Sequence, residues 1–376
     1  MTNFDDIQVS RPALAEGYLA LLAGQPGRPI ALFAPRRIGK TWFLKNDLVP
    51  IAQRAGYLAV YADLWLQRSA PLEAINYAIE EALDDVTVPS GAIGRIAKTP
   101  IKRIAGVEFG AEPARRPLPD NPALRFDALI LKLARASGKP ILLMLDEIQA
   151  LAESADGAAV IASIRAVLSH RQAKVSAVFT GSSQAALSSM MSTVGAPMYQ
   201  FTQLLDFPTL GDDYLKLLAK HFRSVHPAKA LDLAALREAF AYIGYKPALI
   251  KDIVKEMSAE GNVDVAAALR KFTASERQVA GWEANFAVLA PIEQALLVAL
   301  AHGLAPLARD TLELLSRSSG DAVTISRVRA ALERLKKAGV LAKPGSGYLI
   351  EDRLFMDYIA GLNLPKMPRP ERKLGD

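Results

Sequence analysis

Short apolar runs alternate with helically spaced apolar positions through the first 205 or so residues. Ile30 to Phe33 is apolar at every position, and Lys40 to Gln53 carries a helical pattern. Leu58 to Ala62 reads as a second strand and Pro71 to Asp84 as a second helix. Asn121 to Ser137 is helical, Ile141 to Leu145 is a fully apolar strand, Ala158 to His170 is helical, and Val175 to Thr180 is a further strand. Strands apolar on both faces must be covered on both faces, and strands separated by helices pair in parallel. The pattern therefore predicts an α/β domain over 1–205, a parallel sheet layered with helices.

The rhythm breaks between Pro89 and Pro122. This stretch is rich in Gly and Pro, carries Arg95, Lys98, Lys102, Arg103, Arg115 and Arg116, and holds one strand-like run, Ile104 to Gly110. It reads as a basic insertion at about 89–122. Beyond residue 205 the pattern becomes helical: Asp212 to Val225, Asp232 to Tyr242 and Pro247 to Ala259 define an all-helical region over 206–282. Residues 283–362 have the order of a winged helix. Helices at Ile292 to His302 and Leu307 to Ser316 precede a third that Thr324 caps and Gly339 stops. Two short strands, Val340 to Ala342 and Tyr348 to Ile350, follow across the loop Lys343 to Gly347. The segment 363–376 is Pro-rich and basic, and disorder is expected there.

Composition narrows the chemistry. A chain of 376 residues suggests more than one domain, and 51% hydrophobic against 22% charged residues marks it as folded. The absence of cysteine excludes a disulfide framework, a thiolate zinc site and a cysteine nucleophile. Met1 to Asp6 has no signal-peptide character, and no apolar run approaches the ~20 residues that span a bilayer. A soluble, cytoplasmic protein with no membrane partner is expected. The net charge of +6 permits contact with nucleic-acid phosphates without requiring it.

Ala34-Pro35-Arg36-Arg37-Ile38-Gly39-Lys40-Thr41 follows the first apolar strand and opens a helix, with Trp42 next on that helix. That context and spacing predict a phosphate-binding loop for ATP, residues 34–42 lining it. Backbone amides would cradle the phosphates, Lys40 would reach the β- and γ-phosphates, and the Thr41 hydroxyl would hold Mg²⁺. The alternative is an ordinary strand–turn–helix. The pattern wants glycine at position 34, and a methyl group there would strain the loop if φ were positive. The strand Ile141 to Leu145 ends in Asp146-Glu147. Asp146 is placed to hold Mg²⁺ with Thr41, and Glu147 to activate the attacking water; the competing reading is a helix cap. Thr180, at the end of the next strand, and Ser182, just after it, could reach a γ-phosphate or simply form a turn.

Pro35 to Thr41, Leu145-Asp146-Glu147-Ile148-Gln149 and Phe179-Thr180-Gly181-Ser182-Ser183 resemble the archaeal-type ATPase family of AAA+-like P-loop proteins, which stands near the origin-recognition and STAND ATPases. Val9-Ser10-Arg11-Pro12 resembles the family's N-terminal segment, which implies that Arg11 lies near the adenine. Val60 to Trp65 resembles its second strand, and Tyr348 to Asp352 with Leu354-Phe355 resembles the end of its winged helix. The resemblance implies sheet order 5-1-4-3-2, a helical lid and a C-terminal winged helix. Three departures stand out: Ala34 for glycine, Tyr199-Gln200-Phe201 where relatives carry Gly-Arg, and Gly244-Tyr245-Lys246-Pro247, one residue longer than the usual Gly-x-Pro turn. Lys246 reads either as a sensor cation or as an exposed surface lysine.

Two outputs fit this reading. The first is a nucleotide-dependent switch that binds double-stranded DNA through the helix carrying Arg327, Arg329, Arg334, Lys336 and Lys337. The second is a slow nucleotide-sensing scaffold whose winged helix docks a protein partner. A metabolic kinase would not need the C-terminal domain.

Overall fold

The computed structural model describes residues 4–67, 69–87, 117–154, 156–182, 187, 190–191, 195–319, 321–343 and 347–362. The expected basic insertion, apart from 117–122, lies outside the described residues, as do the expected tail at 363–376 and residues 344–346 of the loop between the last two strands.

Five strands build the main sheet: β1 (Ile30–Phe33), β2 (Leu58–Asp63), β3 (Ile141–Asp146), β4 (Val175–Gly181) and β5 (Gln203–Asp206). All pair in parallel, in the order β2-β3-β4-β1-β5. This is the expected 5-1-4-3-2 order, that of the AAA+-like P-loop fold. Every residue of β3 is buried, which explains its unbroken apolar run. Leu143 and Leu145 pack in one core with Leu72, Ile75 and Ile79 of the helix Pro71–Thr87 and with Phe126, Leu129 and Leu133 of the helix Pro122–Ser137. Each such leucine contributes roughly 1.5–3 kcal/mol by leaving water. The helix Pro122–Ser137 is punctuated at both ends. Asn121 accepts from the amides of Ala123 and Leu124, and Gly138 ends the helix at φ 64°.

The register brings the carboxyl ends of four strands to one edge. Phe33 aligns with Gly181, Leu145 with Phe179, and Asp63 with Asp146. In open parallel sheets this edge is where ligands bind.

The helix after the phosphate loop spans the expected length but is not uniform. An α turn, Lys40–Phe43, passes into a π turn, Leu44–Leu48, and back into an α segment, Val49–Arg54. Pro50 has no amide hydrogen for the carbonyl four residues earlier, so the ladder slips there; the Val49 amide bonds to the Leu44 carbonyl.

The chain divides into two compact units. One comprises Ser10–Ala34 and Lys40–Phe207; the other comprises Met1–Val9, Pro35–Gly39 and Pro208–Asp376. In the second, the helices Asp212–Val225, Leu233–Tyr242, Pro247–Glu260 and Val265–Thr273 share a core around Phe222, Phe240, Ile250 and Ile253. Glu276–Ala287, Pro291–Ala301, Arg309–Ser319 and Ile325–Lys337 follow, then an antiparallel ribbon of β6 (Leu341–Ala342) and β7 (Leu349–Ile350), then Arg353–Ala360. Thr324 caps Ile325–Lys337 by accepting from the Arg327 amide. Lys246 is not a surface lysine: it is 8% exposed and donates to Asp352 Oδ2 at 2.7 Å. Asp352 also caps Arg353–Ala360, accepting from the amides of Leu354 and Phe355.

Candidate nucleotide site

β1 delivers the chain into the phosphate loop. Ala34 is buried, and its backbone is not among the positive-φ positions, so its methyl meets no left-handed strain. The left-handed positions are Arg37 at φ 67° and Gly39 at φ 100°. Only glycine adopts the latter readily, although a Cβ there would meet nothing within 4 Å. Backbone geometry, not crowding, selects Gly39. Ile38 is buried, whereas Pro35, Arg36, Arg37 and Thr41 are exposed and Trp42 is half-buried. Lys40 is 5% exposed, and its ammonium donates to the Ala34 carbonyl at 2.5 Å, closing the loop on itself.

Asp146, at the end of β3, is 2% exposed and accepts from four donors. Oδ2 accepts from the Thr41 hydroxyl at 2.6 Å and the Tyr61 hydroxyl at 2.9 Å. Oδ1 accepts from the Thr180 hydroxyl and, at 3.1 Å, from the Glu147 amide. A carboxylate offers about four acceptor positions, and all are taken. Burial, reinforced by the Asp146 charge, pushes the Tyr61 phenol well above the usual tyrosine range, so it remains a donor. The Lys45 ammonium lies 4.3 Å from the Tyr61 ring centroid, a cation–π contact.

Glu147 adopts φ 57°, unusual for a non-glycine residue. Its Oε2 accepts from the Ser182 hydroxyl at 2.9 Å and from the Gln149 side-chain amide. Gln149 is buried and also donates to Ser182 Oγ at 3.1 Å. A Cβ at Gly181 would fall 2.9 Å from Gln149 Oε1, so the glycine makes room for this clasp.

Arg11 lies on the same unit. Its guanidinium sits 4.3 Å from the Phe207 ring centroid and 5.2 Å from that of Phe43. Burial lowers its pKa and Asp47 opposes that shift. The neighbouring Ser10 hydroxyl donates to Asp47 at 2.5 Å.

The structure thus gathers Lys40, Thr41, Asp146, Glu147, Thr180 and Ser182 at the strand ends. Sequence reasoning missed two participants, Tyr61 and Gln149. The available signals were weak: Tyr61 stands two residues before Asp63, the register partner of Asp146, and Gln149 two residues after Glu147.

The donor set fits Mg²⁺ bound together with a nucleotide. Among the described residues no group of three or more His, Cys, Asp or Glu could hold a metal. Thr41 and Asp146 instead offer one hydroxyl and one carboxylate, the sparse hard-oxygen set that suits an ion keeping its waters and sharing phosphate oxygens.

No family model and no curated protein matches this chain. Solved structures do. A Walker-type ATPase of Pyrococcus abyssi superposes with a TM-score of 0.61 at 17% identity, over 93% of this chain and 96% of that one. The ORC2 protein of Aeropyrum pernix, in its ADPNP–ADP complexes, superposes at 0.54 with 16% identity, over 95% and 96% of the two chains. At these identities the similarity speaks to the fold. No helix among the described residues is long and apolar enough to cross a membrane.

Proposed function

We propose that the chain is a P-loop ATPase that binds Mg·ATP on Ala34–Thr41 and hydrolyses its γ-phosphate. The observation that carries this reading is the hydrogen bond from Thr41 to Asp146, which puts the loop's hydroxyl and the strand-end carboxylate in one place. Thr41 and Asp146 would hold Mg²⁺, which when bound would neutralise charge on the β- and γ-phosphate oxygens. Lys40 would exchange the Ala34 carbonyl for phosphate oxygen. Glu147 would accept the proton of the attacking water, whose oxygen forms the new bond to phosphorus as ADP leaves. Thr180 and Ser182 support the two carboxylates in this arrangement: Thr180 bonds Asp146 and Ser182 bonds Glu147. Arg11 is assigned to the base end of the nucleotide by the family resemblance. Phosphate release from ATP, measured with and without duplex DNA, tests the reading. Absence of both turnover and Mg·ATP binding in the wild-type chain would overturn it.

A DNA output rests on the helix Ile325–Lys337. Arg327, Arg329 and Lys337 are exposed along it. Arg334 and Lys336 are partly committed, to Glu293 at 2.5 Å and Glu333 at 2.9 Å. The order of this helix and the ribbon supports a winged-helix reading, and we assign the exposed cations to DNA phosphates. Binding that ignores salt would point instead to a protein-docking module and a nucleotide-sensing scaffold.

A further inference from the structure

The geometry points to Tyr61 as a displaceable donor that competes with a metal-bound water for Asp146 Oδ2, so that the phenol restrains metal-dependent nucleotide binding. The inference rests on the nucleotide-site reading above and goes beyond it by assigning a residue outside both nucleotide motifs.

Asp146 has no acceptor position to spare. Thr41, Tyr61, Thr180 and the Glu147 amide occupy them all. A cation or its water can use Asp146 only if one of these donors leaves. Three are poorly placed to do so. The Glu147 amide is backbone, and the next amide, Ile148, is bonded to the Thr180 carbonyl at 2.9 Å. Thr180 is 0% exposed on β4, the middle strand of the sheet. Thr41 can turn a lone pair to the cation while its proton stays on Asp146, so it need not leave.

Tyr61 differs on each count. It is half-buried, and it stands on β2, an outer strand of the sheet. Its hydroxyl reaches Asp146 from a register two residues back, since Asp63 is the residue aligned with Asp146. A two-residue step is about 6.6 Å, near the full reach of a tyrosine side chain. The contact is therefore made by the tip of an extended side chain. Lys45, against the ring, holds it in that pose.

Tyr61→Phe tests the proposal, because it removes the hydroxyl and keeps the ring and the Lys45 contact. Binding of a non-hydrolysable ATP analogue is measured by calorimetry in excess Mg²⁺ and again in EDTA. The expected result is a roughly tenfold rise in the ratio of the two affinities, the scale of one charge-assisted hydrogen bond. It should arise from tighter binding with Mg²⁺, with the EDTA value unchanged. Lys45→Met, which loosens the ring without touching Asp146, should move the ratio the same way by less. It supplies an independent reading if Tyr61→Phe melts early. An unchanged ratio in both variants overturns the proposal, and so does weaker Mg²⁺-dependent binding, which would make Tyr61 a support for Asp146. If the wild type binds the analogue in neither condition, the nucleotide-site reading falls and takes this one with it. If the wild type binds with Mg²⁺ and only the variants fail to shift, this inference alone is overturned.

Discussion

Thr41 and Asp146, 105 residues apart in sequence, are joined by a 2.6 Å hydrogen bond. The bond ties the first turn after the phosphate loop to the end of the most deeply buried strand. Asp146→Asn should keep that bond but remove the charge that makes the pair a cation site. Mg·ATP affinity should then fall towards the metal-free value while binding in EDTA stays level. Undiminished dependence on Mg²⁺ would place the ion elsewhere.

Lys40→Ala removes the ammonium that now caps the Ala34 carbonyl. ATP affinity should drop at least ~10-fold, as expected for losing a hydrogen bond to a charged group. Fluorescent-nucleotide titration checks this, and an affinity equal to wild type would exclude the loop as the phosphate site.

Glu147→Gln preserves shape and removes the base. Turnover should fall by ~10²-fold or more, with nucleotide binding retained. Phosphate release under saturating Mg·ATP reads the effect, and wild-type turnover would assign the proton acceptor to another group.

Asp352→Ala should destabilise the C-terminal unit more than Lys246→Met. It deletes a helix cap, worth about 1 kcal/mol, and leaves a nearly buried lysine without this carboxylate. A total decrease of roughly 2–4 kcal/mol in urea unfolding is expected. Asp352→Asn keeps an oxygen for the cap and should cost less. A decrease within the ~0.5 kcal/mol typical of neutral surface changes would show the interaction to be weak.

Replacing Arg327, Arg329 and Lys337 together by alanine should weaken duplex DNA binding and leave ATP binding intact. For every phosphate that is no longer neutralised, the log–log salt slope should fall by about 0.9. Neutralising the basic residues from Arg95 to Arg116 belongs in the same experiment, because they form a rival basic segment. A DNA-binding defect only there would move the interface to the first 205 residues.

The part of the site legible in the sequence is local. Gly39-Lys40-Thr41 and Asp146-Glu147 each lie on consecutive residues beside an apolar strand, so strand-end chemistry can be read directly. Tyr61 and Gln149 cannot be, because their hydrogen bonds depend on register and on a backbone turn at Glu147. Lys246 leaves two readings open in the sequence because its partner, Asp352, is 106 residues away. The helix Glu276–Ala287 is hard to read in the sequence because its apolar face is sparse: Val279, Trp282 and Phe286 are only half-buried, and no residue is fully buried. Pro50 is visible in the sequence, but its effect on the hydrogen-bond ladder emerges only in three dimensions.

The left-handed backbone at Glu147 carries a consequence for stability as well as for chemistry. A non-glycine residue held there costs of order 1–3 kcal/mol, and a chain selected only to remain folded would favour glycine or asparagine. Glycine or asparagine at this position would therefore remove the proposed base and relax the backbone in one step.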